Sequence, residues 1–285
     1  MALFDTILDR IGHFIATRLE EETSGYEPFT PSDPETLRAA LQPGDILLIE
    51  GNQQISNAIK YLTQSTWSHA ALCVGDALGA PPDGSEPRTL IEANLGVGVH
   101  AVPVSKYRSY NTRICRPVGL TEGDQRKVID FAISRLGYKY DLRNLIDLAR
   151  YLLPNPPVPV RWRRRMLALG SGEPTRAICS TMIAQAFENV RFPILPRVER
   201  MDIKRRGVST YARWEVLHIR HHSLFAPRDF DLSPYFKIIK PTVEAGFDYR
   251  HLSWSSEAPD EGPIGQSRVV EDKAGSPAAR DRLEP

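Results

Sequence analysis

Trp67-Ser68-His69-Ala70-Ala71-Leu72-Cys73-Val74 and Arg88-Thr89-Leu90-Ile91-Glu92-Ala93-Asn94-Leu95 are the two stretches whose reading decides the fold. Each is short, largely apolar and bounded by glycine and proline, which marks a buried strand rather than a helix. His69 and Glu92 stand as isolated titratable groups inside these runs. A hairpin register that sets Val74 against Pro87 sets His69 against Glu92, side by side on one face of the sheet. A slip of one residue would send them to opposite faces.

Working outward, Pro43-Gly44-Asp45 reads as a turn, Ile46 to Glu50 as a short buried strand and Ile55 to Leu62 as a short helix. Downstream, Val97 to Val104 and Thr112 to Val118 extend the run of antiparallel strands. Thr121 and Asp124 start a helix that runs to about Leu136, and a second helix spans Leu142 to Leu153 until Pro154 stops it. After the extended Pro154 to Pro159 connector, Glu173-Pro174-Thr175 introduces a helix through about Asn189, with an apolar stripe of Ile178, Met182, Ile183 and Ala186. Tyr235 to Lys240 reads as a last strand. Strands and helices in this order predict an α+β domain over residues 35–254, an antiparallel sheet packed against helices, with a basic Pro-rich insertion at 154–174.

The ends differ from the centre. Leu3, Phe4, Ile7, Leu8, Ile11, Phe14, Ile15 and Leu19 recur at helical spacing, so residues 1–24 open the chain with an amphipathic helix. Its apolar face has two destinations: the main domain, or a membrane surface or partner helix. Gly25 to Pro34 reads as a linker. From Ser255 to Pro285 the chain is rich in Pro, Gly, Ser and charge, a composition that cannot bury enough apolar surface to order itself.

Composition narrows the function. The 285 residues carry 36 basic and 35 acidic side chains. Near-neutral charge lacks the electrostatic footprint of sequence-independent nucleic-acid binding, so no nucleic-acid partner is expected. No apolar run approaches the roughly 20 residues that cross a bilayer. Asp5 and Asp9 interrupt any signal-peptide core, and three irregularly spaced cysteines suit a reducing compartment, so a cytoplasmic location is expected, with peripheral membrane contact through residues 1–22 or 161–165 as an option.

Cys179 stands apart from Cys73 and Cys115. It falls in the first turn or so of a predicted helix, where unpaired amides and the helix dipole favour an anion and so a thiolate. Cys73 and Cys115 lie inside strands, where a small thiol is packing material. A thiol, an imidazole and an orienting carboxylate are the parts a thiol hydrolase requires: His69 deprotonates Cys179 and Glu92 fixes the ring. His218, His221 and His222 form the histidine cluster of the chain, but their spacing fits no regular metal-binding element, and neither metal nor cofactor is expected.

The Pro43-Gly44-Asp45-Ile46 turn, Ser68-His69-Ala70, Ile91-Glu92-Ala93, Gly137-Tyr138-Lys139-Tyr140-Asp141 and Cys179-Ser180 occur in the order seen in the circularly permuted NlpC/P60 papain-like amidases of the YiiX/YebB/YaeF type, which this chain resembles over roughly Leu41 to Lys240. The resemblance implies a permuted papain-like (NlpC/P60) fold with a β-barrel-like sheet, nucleophilic Cys179, general base His69 and orienting Glu92. It also implies a pocket lined by Tyr138 or Tyr140, with Trp67, Ser68 and Ser180 beside the substrate. The activity so implied is hydrolysis of an amide or peptide bond in a cell-wall-like peptide through a Cys acyl-enzyme. Lipid acyl hydrolysis or acyl transfer on the same machinery is an alternative, with a lipid-linked acyl group as substrate. An inactive module that holds peptide or lipid is the alternative of another class.

Overall fold

A computed structural model describes residues 21, 28, 33–94, 97–139, 178–203, 212–218, 222, 225–248 and 250. The helix expected at the N-terminus, the helix expected over Leu142 to Leu153, the insertion at 154–174, Tyr140, His221 and the tail from Ser255 lie outside these residues, Glu21 aside.

The elements in chain order are α1 (Pro34–Ala40), β1 (Ile46–Ile49), α2 (Gln54–Thr63), β2 (His69–Cys73), β3 (Leu90–Asn94), β4 (Gly98–Val102), β5 (Thr112–Pro117), α3 (Glu122–Ser134), α4 (Ile178–Asn189), β6 (Arg197–Ile203), β7 (Ala212–His218), α5 (Pro227–Asp231), β8 (Phe236–Ile239) and α6 (Pro241–Glu244). A 3-10 turn, Val104–Tyr107, follows β4. Six strands form one antiparallel sheet in the order β4-β3-β2-β1-β5-β8, while β6 and β7 pair separately.

β1 lies near the middle of the sheet, and its unbroken Ile46-Leu47-Leu48-Ile49 sequence follows from burial on both faces. Ile46 and Leu48 join Ala70, Leu72, Ile91 and the helices α3 and α4 in one core layer. Leu47 and Ile49 join Leu37, Ala71, Leu90, Val104 and Tyr107 in the layer on the other face. Asp45, buried at the head of β1, receives both Nε and Nη2 of Arg116 at 2.9 and 2.8 Å, and Arg116 Nη2 also donates to the Ala40 carbonyl at 2.7 Å. The acidic residue of the Pro-Gly-Asp turn therefore ties β1 to β5 and to the end of α1.

Two expectations about the sheet are corrected. It is open, with β4 and β8 at its edges, rather than barrel-like. The outer side of β4 is taken by the chain leaving α3: Gly137 N donates to the Val99 carbonyl and Val99 N to the Tyr138 carbonyl, each at 2.9 Å. This blunts an edge that another strand would otherwise need to cover. Gly98 permits the close approach, because at φ +82° any Cβ there would run into the Tyr138 carbonyl oxygen. The second correction is register: β2 and β3 pair Leu72 with Ile91 and Cys73 with Leu90, two residues from the alignment that sets His69 opposite Glu92. A two-residue shift preserves which face each side chain occupies, so both still share one face. Among the described residues, no helix is long and apolar enough to cross a membrane.

Candidate active site

Glu92 is fully buried in β3, directly opposite His100 in the β3–β4 ladder. Its Oε1 accepts from Asn94 Nδ2 at 2.9 Å and lies 3.0 Å from His100 Nε2, with Lys106 Nζ also in contact. Its Oε2 lies 3.1 Å from His69 Nε2 and accepts from the Tyr107 hydroxyl. Five donors converge on two oxygens, filling the roughly four lone-pair sites of an ionised carboxylate and exceeding what a protonated one can accept. Burial alone would push the pKa of this carboxyl up. The hydrogen bonds from His100 and His69 and the charges of His69 and Lys106 outweigh it and hold Glu92 well below the usual carboxylate range.

His69 opens β2, and its ring touches both Glu92 and the Cys179 thiol. Nε2 is engaged by Glu92, which leaves Nδ1 as the ring nitrogen away from the carboxylate. Burial would lower the imidazole, but the charge of the Cys179 thiolate, its hydrogen bond to the ring and the Glu92 carboxylate push it up to about 10. Cys179 is the second residue of α4, a helix buried nearly all round through Met182, Ile183, Ala184, Ala186 and Phe187. That packing fixes the thiol against the end of β2. The other two thiols are free and buried within strands: burial drives Cys73 up to about 12 and Cys115 higher still.

The remaining expected residues divide by surroundings. Trp67 is buried; its Nε1 donates to Asp231 Oδ2 at 3.2 Å and its ring lies under the Arg113 guanidinium at 4.9 Å. Ser68 Oγ accepts from Gly51 N at 2.9 Å, joining the start of β2 to the end of β1. Ser180 Oγ donates to the Phe225 carbonyl at 2.8 Å, which pins α4 to the segment before α5. These three hydroxyl and indole groups are thus engaged in holding the site's walls. Tyr138 is exposed, with Arg135 stacked at 5.2 Å from its ring centroid, and its carbonyl is the one that caps β4. His222 Nδ1 pairs with Glu188 Oε2 at 2.9 Å, and among the described residues no group of three or more His, Cys, Asp or Glu is arranged to hold a metal ion.

Sequence reasoning missed His100, Lys106 and Tyr107. His100 Nδ1 lies 3.0 Å from the Gly98 carbonyl while Nε2 lies 3.0 Å from Glu92. Both partners accept only, so the ring satisfies both when it is an imidazolium. Its pKa is accordingly raised, by the hydrogen bond to Glu92 against the opposing effect of burial, with help from the Gly98 carbonyl.

Residues 40–151 match the model of a family described as permuted papain-like amidase enzyme, YaeF/YiiX, C92 family. The match supports a cysteine-type amidase or peptidase. It contains the His69 and Glu92 strands and stops short of Cys179. A crystal structure of the metalloprotein yiiX from Escherichia coli O157:H7 is similar at 17% identity and a TM-score of 0.40, covering 70% of this chain and 97% of that one. No curated protein matches the chain.

Proposed function

We propose that the protein hydrolyses an amide or peptide bond through an acyl-enzyme on Cys179, with His69 as the base and acid and Glu92 as the group that orients His69, in an arrangement like that of NlpC/P60 enzymes. The observation that carries this reading is the shared contact of one imidazole with the Cys179 thiol and, at 3.1 Å, with the buried Glu92 carboxylate. His69 Nδ1 takes the thiol proton, and the thiolate so formed attacks the substrate carbonyl. The same proton passes to the leaving amine as the carbon–nitrogen bond breaks and the thioester forms. Water, deprotonated by His69, then attacks the thioester, and the proton returns to sulfur as the acid leaves.

The substrate class we favour is a cell-wall-like peptide. The same thioester would open a lipid ester or transfer its acyl group, since the parts are common to both. Free thiols at all three cysteines suit a reducing compartment. Incubation with muropeptides and, separately, with phospholipid vesicles, followed by mass spectrometry of the products, tests the reading. Peptide fragments that disappear in Cys179→Ala support it. Fatty acid or acyl-transfer products would move the assignment to lipid, and turnover by Cys179→Ala would overturn the nucleophile.

A further inference from the structure

We propose that His100 and Lys106 act as a fixed counter-charge that weakens the hold of Glu92 on the His69 proton, so that His69 can release it as well as accept it. The proposal rests on the catalytic reading above and assigns two positioning residues to it.

The geometry is the starting point. Glu92 faces cations from three elements: His69 from β2, His100 from β4 and Lys106 from the 3-10 turn. Tyr107 from the same turn and Asn94 from β3 add neutral donors. Cys179, from α4, is the remaining titratable group at His69. A lone carboxylate beside a buried imidazole would lock it as an imidazolium, and an acid that holds its proton too tightly is a poor proton donor to a leaving amine. Here the negative charge is divided among three cations. Lys106 Nζ contacts Glu92 directly, and His100, bonded on both nitrogens to acceptors, is held as a cation by the same carboxylate it tempers.

A supporting role and a tempering role predict opposite signs. If His100 and Lys106 merely hold Glu92 in place, removing them loosens the carboxylate and His69 becomes less basic. If they temper it, removing them gives His69 the whole charge and His69 becomes more basic. The experiment uses the full chain carrying Cys179→Ala, which takes away the thiolate and brings the His69 titration into reach. Histidine carbon-bound protons are followed by NMR against pH, with the His69 signal assigned by its loss in His69→Gln.

His100→Gln keeps a donor toward Glu92 without the charge, and Lys106→Met keeps the stem without the ammonium. Each should raise the His69 midpoint by about one pH unit. An unchanged or lowered midpoint overturns the proposal. Circular dichroism monitors folding, and should one variant fail to fold, the other makes the same measurement. The titration needs no turnover, so it reads even if Cys179 proves not to be the nucleophile; that failure would show separately as activity retained by Cys179→Ala.

Discussion

The indole of Trp67 is bound to Asp231, a residue 164 positions later in the chain, through Nε1 and Oδ2 at 3.2 Å. Arg113 Nη1 meets both oxygens of the same carboxylate at 2.8 and 2.9 Å, so β5, α5 and the residue two before His69 form one clamp. Asp231→Ala leaves an indole N–H and a half-exposed guanidinium without their acceptor. It should cost about 1–2 kcal/mol of stability, read from the urea midpoint, because the pair is only partly shielded from water. A change near zero would show that the clamp is incidental.

Alkylation should distinguish the three thiols. Cys73, pushed up to about 12 by burial, and Cys115, pushed higher, carry almost no thiolate at neutral pH. Cys179 has an imidazole in contact to receive its proton. Limited iodoacetamide treatment followed by peptide mapping should label Cys179 first, and prior labelling of Cys73 or Cys115 would remove Cys179 from the proposed chemistry.

Glu92→Gln is the most severe conservative change available in the site. A glutamine presents one oxygen and one amide group, and the amide would point at donors that now meet an acceptor. The variant should lose about 2–4 kcal/mol of stability, since buried donors and cations are left unpaired, and turnover should fall with it. Equilibrium denaturation and a peptide-release assay check the two effects together. Stability equal to that of the parent would mean the network is not formed.

The pH dependence of stability follows from the raised imidazoles of His69 and His100 and from the depressed Glu92, with opposite signs. The raised His100 favours the folded state fully below its unfolded value of 6.5, and this contribution is lost as pH rises through the folded value. The depressed Glu92 favours it above 4.5, and this contribution is lost as pH falls. Between pH 6.5 and 8 the His100 contribution should decline by at most about 1.4 kcal/mol per pH unit, the slope for one proton. Denaturation at several pH values should show a shallower decline in His100→Gln than in the parent; identical slopes would exclude His100 as the group responsible.

Most strands and three helices were legible because burial writes apolar runs and helical stripes into the sequence: β1, β2, β3, β4, β5, β8, α2, α3 and α4 stand within a few residues of their expected places. The His69–Glu92 contact was legible for a subtler reason. The register was two residues off, but an even slip leaves face parity intact, so the residues still met. His100 was missed although the same hairpin argument, applied across Leu95-Gly96-Val97, sets it against Glu92. Lys106 and Tyr107 reach the carboxylate from a 3-10 turn, where no periodicity announces direction. The β6–β7 hairpin escaped because Arg197, Glu199, Arg200, Asp202, Arg213 and Glu215 obscure strand alternation.

His69, Glu92, Asn94, His100, Lys106 and Tyr107 all belong to one short stretch of chain, whereas Cys179 arrives on α4 much later. A ribosome therefore releases the whole proposed acid–base network before it adds Cys179. Domains fold as they emerge, and contacts between near neighbours in sequence form first. Cys179 meets His69 only when α4 docks on β2 and β3, so under the proposed mechanism a nascent or truncated chain lacks the thiol–imidazole pair.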